Sequence, residues 1–162
     1  MRFYIATGLS NFRAHQALTK ELTQLGWELT YNWCVHGSVQ DQGEARIRSV
    51  AVVEAAGVAE AEVVIVILPG GRGTHTEQGM GMALGKHIYI VDTEGGNFDT
   101  SSEPVKRTWA FYFMPNVVRI DRAPNSKTGG RTWKETAELI VESEAGWTRL
   151  LASYRKGKAV GI

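Results

Sequence analysis

One segment of the sequence combines a carboxylate with a flexible backbone. It runs from Leu68 to Gly79 as Leu-Pro-Gly-Gly-Arg-Gly-Thr-His-Thr-Glu-Gln-Gly, so Glu77 follows a turn that contains three glycines. Glycines let a ligand approach the main chain, and the free amides of a first helical turn favour negative charge. We therefore expect Glu77 to be ionised. An ionised glutamate there could attack a sugar carbon, or stabilise positive charge on it, while a bond to a nitrogen base breaks.

The same residues have a purely structural interpretation. Thr74 and Glu77 have the spacing of a capping box, in which a threonine and a glutamate satisfy each other's backbone amides at the start of a helix. From the pattern alone, the catalytic and the capping interpretations remain equally open.

The elements around this turn follow the order of an α/β protein. Strands are predicted for residues 2–7, 27–32, 63–68, 87–92 and 117–121, and helices are predicted near Leu18 to Leu25, over 43–60, over 74–84 and over 132–154. The run Val63 to Leu68 has no polar alternation, which is typical of the centre of a parallel sheet. The predicted fold is a three-layer α/β sandwich with a mostly parallel central sheet, Rossmann-like or flavodoxin-like.

The helical segments predict which side chains face the sheet. Ile47, Val50, Val53 or Glu54, and Val58 are expected along one side of the helix over 43–60. Ile140, Trp147, Leu151 and Tyr154 are expected on one side of the last helix, against the sheet or a second subunit. Residues 93–104 and 124–131 are expected to be loops, and the 162 residues are expected to form a single domain.

Composition restricts the class of partner. The net charge is +1 and 43% of the residues are hydrophobic, which argues against a nucleic acid or an anionic membrane surface as partner. The longest apolar run, Val63 to Pro69, is far shorter than the ~20 residues that span a bilayer. Cys34 is the single cysteine, and the chain begins with a strand-like run rather than a targeting segment, so a cytoplasmic location is expected.

Other cofactor motifs are not indicated. The turn lacks the Gly-x-Gly-x-x-Gly register of a dinucleotide site, and the segment Gly81 to Lys86 is one residue too short for a phosphate-binding P-loop. The four histidines and the cysteine have no metal-ligand spacing, so no metal and no cofactor are predicted.

The segment Leu68 to Lys86 resembles the signature of the nucleoside 2-deoxyribosyltransferase family, in which Glu-x-Gly and a later Gly-Lys frame the helix of the nucleophile. Phe3-Tyr4-Ile5-Ala6-Thr7-Gly8 is similar to the family's first strand and its sugar-contacting turn. The resemblance covers about residues 2–92. It implies an intracellular enzyme that transfers a deoxyribosyl group from one base to another, without a cofactor.

The resemblance also assigns roles. It places Glu77 as the nucleophile, Tyr4 as the tyrosine that orients it, and Glu54, three positions before Gly57, as the proton donor that faces the base. Gly71 stands where several members have an aspartate that contacts the base. The implied partners are a nucleoside or nucleotide and a free base, together with further copies of the chain in a dimer or larger homo-oligomer.

A second family shares part of this motif. Pro69 to Glu77 also resembles the Pro-Gly-Gly-x-Gly-Thr-x-x-Glu motif of cytokinin-activating phosphoribohydrolases, which release a base from a nucleoside monophosphate. The other glycine-rich motif of that family is absent. Two alternatives to transfer therefore remain: hydrolysis of a nucleoside or nucleotide, and a non-catalytic nucleotide-binding module in which Glu77 only caps the helix.

Further residues are substrate-binding candidates. Trp33 and His36 lie in a loop with unusually large side chains and could stack on or hydrogen-bond to a base, as could Tyr31. Arg72 could contact a 5′-phosphate through its planar guanidinium, whereas His75 is expected to face solvent. The predicted substrate-binding set is Thr7, Gly8, Trp33, His36, Gly70, Gly71, Arg72, Gly73 and Thr74.

Overall fold

The computed structural model describes residues 1–101, 108–124 and 130–159, and it describes side chains as far as Arg149. Within these ranges, strands and helices alternate along the chain. The elements are β1 (Arg2–Thr7), α1 (Phe12–Gln24), β2 (Glu28–Leu29), α2 (Glu44–Glu60), β3 (Val63–Leu68), α3 (Arg72–Ala83), β4 (His87–Asp92), β5 (Val117–Asp121) and α4 (Trp133–Ala159).

The strands form one sheet in the order β2-β1-β3-β4-β5, and every neighbouring pair is parallel. All six residues of β3 are buried, because helices cover both faces of the sheet. This order is that of flavodoxin-like proteins, in which the chain reverses its winding direction between the first and third strands. The predicted three-layer α/β fold is confirmed.

Alternation along β1 divides the core into two layers. Phe3 and Ile5 pack with α1 and α4 on one face, whereas Tyr4 and Ala6 pack with α2 and α3 on the other face. Successive side chains of a strand point to opposite faces, so the position of Tyr4 in the sequence determines which helices it meets. Tyr4 therefore lies on the same side of the sheet as Glu54 and Glu77.

The second strand and the inward face of α2 differ from their predictions. The second strand is shorter than the predicted range 27–32, because only Glu28–Leu29 pairs with β1. Trp27 instead donates its amide hydrogen to Leu22 and closes the end of α1, after Gly26 with φ of 83°. The predicted inward face of α2 is also partly wrong, because Val50 and Val58 are buried while Ile47 and Val53 are exposed.

The last helix begins one residue later than predicted. Thr132 and Glu135 form a capping box before it, with the Thr132 hydroxyl 3.2 Å from the Glu135 amide and the Thr132 amide 2.7 Å from the Glu135 carboxylate. Ile140 is buried as predicted and Trp147 is exposed. The predicted contacts of Leu151 and Tyr154, and parts of the predicted loops over 93–104 and 124–131, lie outside the described residues.

None of the helices among the described residues is long and apolar enough to cross a membrane.

Candidate active site

The main cleft of the described chain lies at the carboxyl edge of the sheet, beside β1 and β3, and has a volume of about 520 Å³. The turn after β1 and the glycine-rich turn after β3 form two of its sides, and α2 with the preceding loop forms the rest. Ligands in open α/β sheets bind where the winding direction reverses, which is between these two strands. All residues predicted for the site line this cleft except Tyr4, Tyr31 and Gly70.

Tyr4 and Glu77 form the central contact of the site. The fully buried Tyr4 donates its hydroxyl hydrogen to Glu77 Oε1 at 2.5 Å. Among the described residues, this is the only hydrogen bond made to the Glu77 side chain. One carboxylate oxygen is thus held from beneath by β1, while the side chain still borders the cleft. This is the geometry expected of an oriented nucleophile.

Gly57 allows Tyr4 to occupy this position. A Cβ atom at Gly57 would lie 2.7 Å from Tyr31 Cβ and 3.1 Å from two ring carbons of Tyr4. Contacts that short force the neighbouring atoms to move. The absence of a side chain at Gly57 is therefore what lets α2 pass close over the tyrosine that supports Glu77.

The protonation of Glu77 differs from the expectation. Burial raises its pKa to about 7; the hydrogen bond from Tyr4 acts in the opposite direction, and the nearby charge of Glu54 adds to the increase. Because α3 begins at Arg72, Glu77 lies in the second turn of the helix, beyond the free amides of the first. The prediction that Glu77 lies among the free amides of the first helical turn is therefore wrong, and burial raises its pKa instead.

The capping interpretation of Glu77 is also wrong. The residue that precedes α3 is Gly71, and its amide donates to the Thr74 hydroxyl at 3.2 Å. Thr74 is itself the third residue of the helix, so Thr74 and Glu77 do not form the predicted capping box. Thr74 accepts a hydrogen bond from the residue before the helix, whereas Glu77 accepts one from Tyr4.

Glu54 in α2 and His36 in the segment before it also line the cleft. Glu54 Oε1 is 3.8 Å from His36 Nε2, and burial raises the pKa of the Glu54 carboxyl while His36 opposes the increase. A carboxyl group with a raised pKa retains its proton at a higher pH and can act as an acid. The structure thus brings the two predicted carboxyl groups to one cleft, close enough for Glu54 to raise the pKa of Glu77.

Trp33 and Thr7 line the cleft, but their polar hydrogens are already bonded to backbone carbonyls. Trp33 donates its indole hydrogen to the carbonyl of Ile5 at 3.0 Å, and the Thr7 hydroxyl donates to the carbonyl of Ile67 at 2.8 Å. Asn11, which sequence reasoning missed, donates to both Thr7 and the Pro69 carbonyl. It thereby links the turn after β1 to the glycine-rich turn.

The glycines of the turn after β3 are not equivalent. Nothing lies within 4 Å of where a Cβ would be at Gly71 or Gly73, and both border the cleft beside the exposed Arg72. At Gly70 a Cβ would lie 2.6 Å from Thr74 Cγ2. Gly70 is therefore needed for packing, and it borders a neighbouring cavity rather than the predicted site.

His75 is not directed to solvent as predicted. Its Nδ1 lies 2.8 Å from the Gly71 carbonyl, and its Nε2 lies 2.8 Å from the Tyr112 hydroxyl. Its ring stacks on Trp109 at a centroid distance of 5.0 Å. Because these aromatic residues lie far along the chain, the residues around His75 carry no signal for the contact. His75 holds the glycine-rich turn from the side away from the cleft.

Sequence reasoning missed part of the lining of the cleft. Leu9, Ile47, Val50 and Ala51 provide apolar surface, and residues 37–40 close the cleft beside His36. The presence of Ile47 and Val50 on the predicted inner side of α2 was the available signal. No group of three or more metal-binding side chains occurs among the described residues.

Comparison with known proteins supports the fold. No family model and no curated protein sequence matches the chain. A solved structure from Clostridium botulinum, the CMP N-glycosidase BcmB, is similar with a TM-score of 0.52 and 20% sequence identity. The similarity covers 86% of this chain and 99% of that protein. At this level of identity, the similarity establishes the α/β architecture alone.

Proposed function

We propose that this protein cleaves the N-glycosidic bond of a nucleoside or nucleotide, with Glu77 as the nucleophile. The observation that carries the proposal is the contact between Tyr4 and Glu77 at the edge of the cleft. A glutamate used only as a helix cap would not need a buried tyrosine from β1, nor would it border the cleft. The proposal agrees with the sequence resemblance, and BcmB acts on the same kind of bond.

In the proposed reaction the Glu77 carboxylate attacks C1′ of the sugar. The bond between C1′ and the base nitrogen breaks, its electron pair passes to the base, and Glu54 supplies a proton to the departing base. The sugar is then held as an ester of Glu77. Attack at C1′ by a second base gives a new nucleoside, and attack by water gives the free sugar. In either step the attacking group loses its proton to the Glu54 carboxylate, and the ester bond breaks to release the Glu77 carboxylate.

Tyr4 supports this step by stabilising the ionised nucleophile. Because burial raises the pKa of Glu77 to about 7, both its ionised and its protonated forms are present at neutral pH. The Tyr4 hydroxyl donates to the carboxylate and so favours that form. Positive charge developing on the sugar favours it further, because opposite charges attract more strongly near a largely buried carboxylate than in bulk water.

We propose transfer of a deoxyribosyl group to a second base as the first form of the activity, as the sequence resemblance implies. A second form, hydrolysis of a nucleoside monophosphate, is favoured by the similarity to BcmB, because BcmB is a CMP N-glycosidase and CMP is a nucleotide. The glycine-rich turn suits a 5′-phosphate, since Arg72 and the first amides of α3 lie beside Gly71 and Gly73.

The deciding experiment is chromatography of reactions with matched substrates. Purified protein is incubated with each nucleoside and 5′-monophosphate, in the ribose and deoxyribose series, with and without a second free base. A new nucleoside identifies transfer, and free base without exchange identifies hydrolysis. Measurable nucleotide binding with no base released from any substrate would contradict the proposal and favour a binding module. Glu77→Gln provides the blank for contaminating activity.

A further inference from the structure

His36 lines the cleft and has one unsatisfied polar atom. Its side chain is only 8% exposed, and Nε2 is buried without a hydrogen-bond partner among the described residues. Buried polar atoms are normally paired, and leaving one unpaired is unfavourable. Because His36 lines the cleft, the missing partner of Nε2 can come from a molecule bound there.

The other ring nitrogen determines whether Nε2 donates or accepts a hydrogen bond. His36 Nδ1 lies 2.9 Å from the carbonyl oxygen of Gly37, which can only accept a hydrogen bond. The proton of a neutral imidazole must therefore be on Nδ1. Nε2 then has a lone pair and no hydrogen, so the neutral side chain can only accept a hydrogen bond at the cleft.

Glu54 is close to this acceptor but does not satisfy it. The separation of 3.8 Å between His36 Nε2 and Glu54 Oε1 exceeds hydrogen-bond length. A planar group that donates to Nε2 and accepts from the Glu54 carboxyl would satisfy both atoms at once. Cytosine and adenine present such an edge, with an exocyclic amine beside a ring nitrogen that has a lone pair.

We propose that His36 and Glu54 together bind the edge of a base that has an exocyclic amine beside a ring nitrogen, as in cytosine and adenine. This inference rests on the proposed function only in taking the cleft as the nucleoside site. The amine donates to His36 Nε2, and the Glu54 carboxyl donates to the ring nitrogen. Proton transfer along the second bond neutralises the electron pair that the base receives as its bond to C1′ breaks.

Bases with oxygen at the same position fit poorly. Uracil and hypoxanthine replace the amine with a carbonyl, so their oxygen would face the lone pair of His36 Nε2. Glu54 can adapt, because a carboxyl group has both a donor and an acceptor. Discrimination between the two kinds of base therefore depends on His36. The hydrogen bond from its Nδ1 to the Gly37 carbonyl makes Nε2 an acceptor.

The first test compares binding without requiring turnover. Calorimetric affinities of the purified protein are measured for cytidine against uridine and for adenosine against inosine, each pair having the same sugar. We expect the amine-bearing member to bind at least about tenfold more tightly, since a carbonyl would leave two facing acceptors unpaired. Equal or reversed affinities, or no binding of any nucleoside, would overturn the inference.

The second test assigns the discrimination to His36. In His36→Ala the preference for the amine-bearing member should fall roughly tenfold, the effect of losing one hydrogen bond. Asp41→Asn, an exposed change in the same loop, should leave the preference unchanged. An unaltered preference in a folded His36→Ala protein would overturn the assignment. Nucleoside binding with this preference but without base release would contradict the proposed function alone.

Discussion

Two helix glutamates in this protein receive a hydrogen bond from a strand tyrosine, yet their surroundings differ. At the carboxyl edge of the sheet, Tyr4 of β1 donates to Glu77 of α3 at 2.5 Å. On the other face, Tyr89 of β4 donates to Glu144 of α4 at 2.7 Å. His87 Nδ1 also lies 2.7 Å from Glu144, so both oxygens of that carboxylate have partners. Glu77 has only Tyr4 among the described residues.

Under the proposed function, the difference separates a pair that stabilises the fold from a pair that takes part in the reaction. Glu144 is 3% exposed, and its hydrogen bonds connect the last helix to the fourth strand. Glu77 receives one hydrogen bond among the described residues and borders a cleft, and burial raises its pKa to about 7. Residues held in unfavourable environments tend to occur at functional sites. Substitution of Glu77 should therefore mainly reduce the rate of reaction, whereas substitution of Glu144 should mainly reduce stability.

The largest expected effect is the loss of turnover in Glu77→Gln. Glutamine keeps the size of the side chain but cannot form the ester with C1′, so we expect base release to fall by roughly 10³-fold or more. The measurement is the initial rate of base release on the best substrate of the panel. Glu144→Gln is the matched control and should retain most of the activity of each folded molecule. Comparable losses in the two variants would remove the distinction between the sites.

Glu144→Ala should have the largest effect on stability. It leaves the buried Tyr89 hydroxyl and His87 Nδ1 without their acceptor, so we expect the free energy of unfolding to fall by about 2–3 kcal/mol. Chemical denaturation at neutral pH measures this quantity. An unchanged midpoint would show that the hydrogen bonds to Glu144 contribute little to the attachment of α4.

Glu77→Gln should increase stability, but only at high pH. The folded pKa of about 7 lies above the ordinary 4.5, so the folded state binds the extra proton between these values. Wild-type stability consequently decreases as pH rises from 4.5 through 7. The glutamine side chain does not titrate, so the variant has no such loss. We expect its free energy of unfolding to exceed that of the wild type by on the order of 2 kcal/mol at pH 8 and by little at pH 5. Denaturation curves at both pH values test this, and a gap that is the same at both would contradict it.

Tyr4→Phe should have a smaller effect on rate and shift its dependence on pH. The Tyr4 hydroxyl lowers the pKa of Glu77, so its removal should raise that pKa and move the rising limb of the pH profile to higher pH. We expect a rate about tenfold lower at neutral pH, partly restored in alkaline buffer. Tyr89→Phe, which removes the hydroxyl next to Glu144, should leave the profile unchanged. A Tyr4→Phe profile that coincides with that of the wild type would exclude this role for Tyr4.

The fold and the place of the site could be predicted from short-range patterns. The unbroken apolar run of β3 identified the centre of the sheet, and the glycines after it identified the edge of the sheet where the cleft lies. The α3 start could not be predicted from the motif, because Thr74 pairs with Gly71 rather than with Glu77. The helix begins at Arg72 rather than at the predicted Thr74. This shift of two residues moves Glu77 out of the first helical turn and changes its expected ionisation.

Contacts between distant segments escaped prediction for a different reason. His36 lies in a loop and Glu54 lies in α2, and only the folded chain places Nε2 and Oε1 3.8 Å apart. The packing of His75 on Trp109 likewise joins α3 to a segment far along the chain. Neither contact follows from periodicity or from a local motif, because both depend on how loops fold over the sheet.

The most direct test of Glu77 as the nucleophile is to trap the sugar on the protein. Fluorine at C2′ of the substrate withdraws electrons from C1′ and slows hydrolysis of the glycosyl ester, so the intermediate can accumulate. After incubation with such an analogue, mass spectrometry of the digested protein should find the sugar mass on the peptide that contains Glu77, and Glu77→Gln should carry none. Attachment at another residue, or continued turnover of natural substrate by Glu77→Gln, would contradict the assignment of Glu77 as the nucleophile.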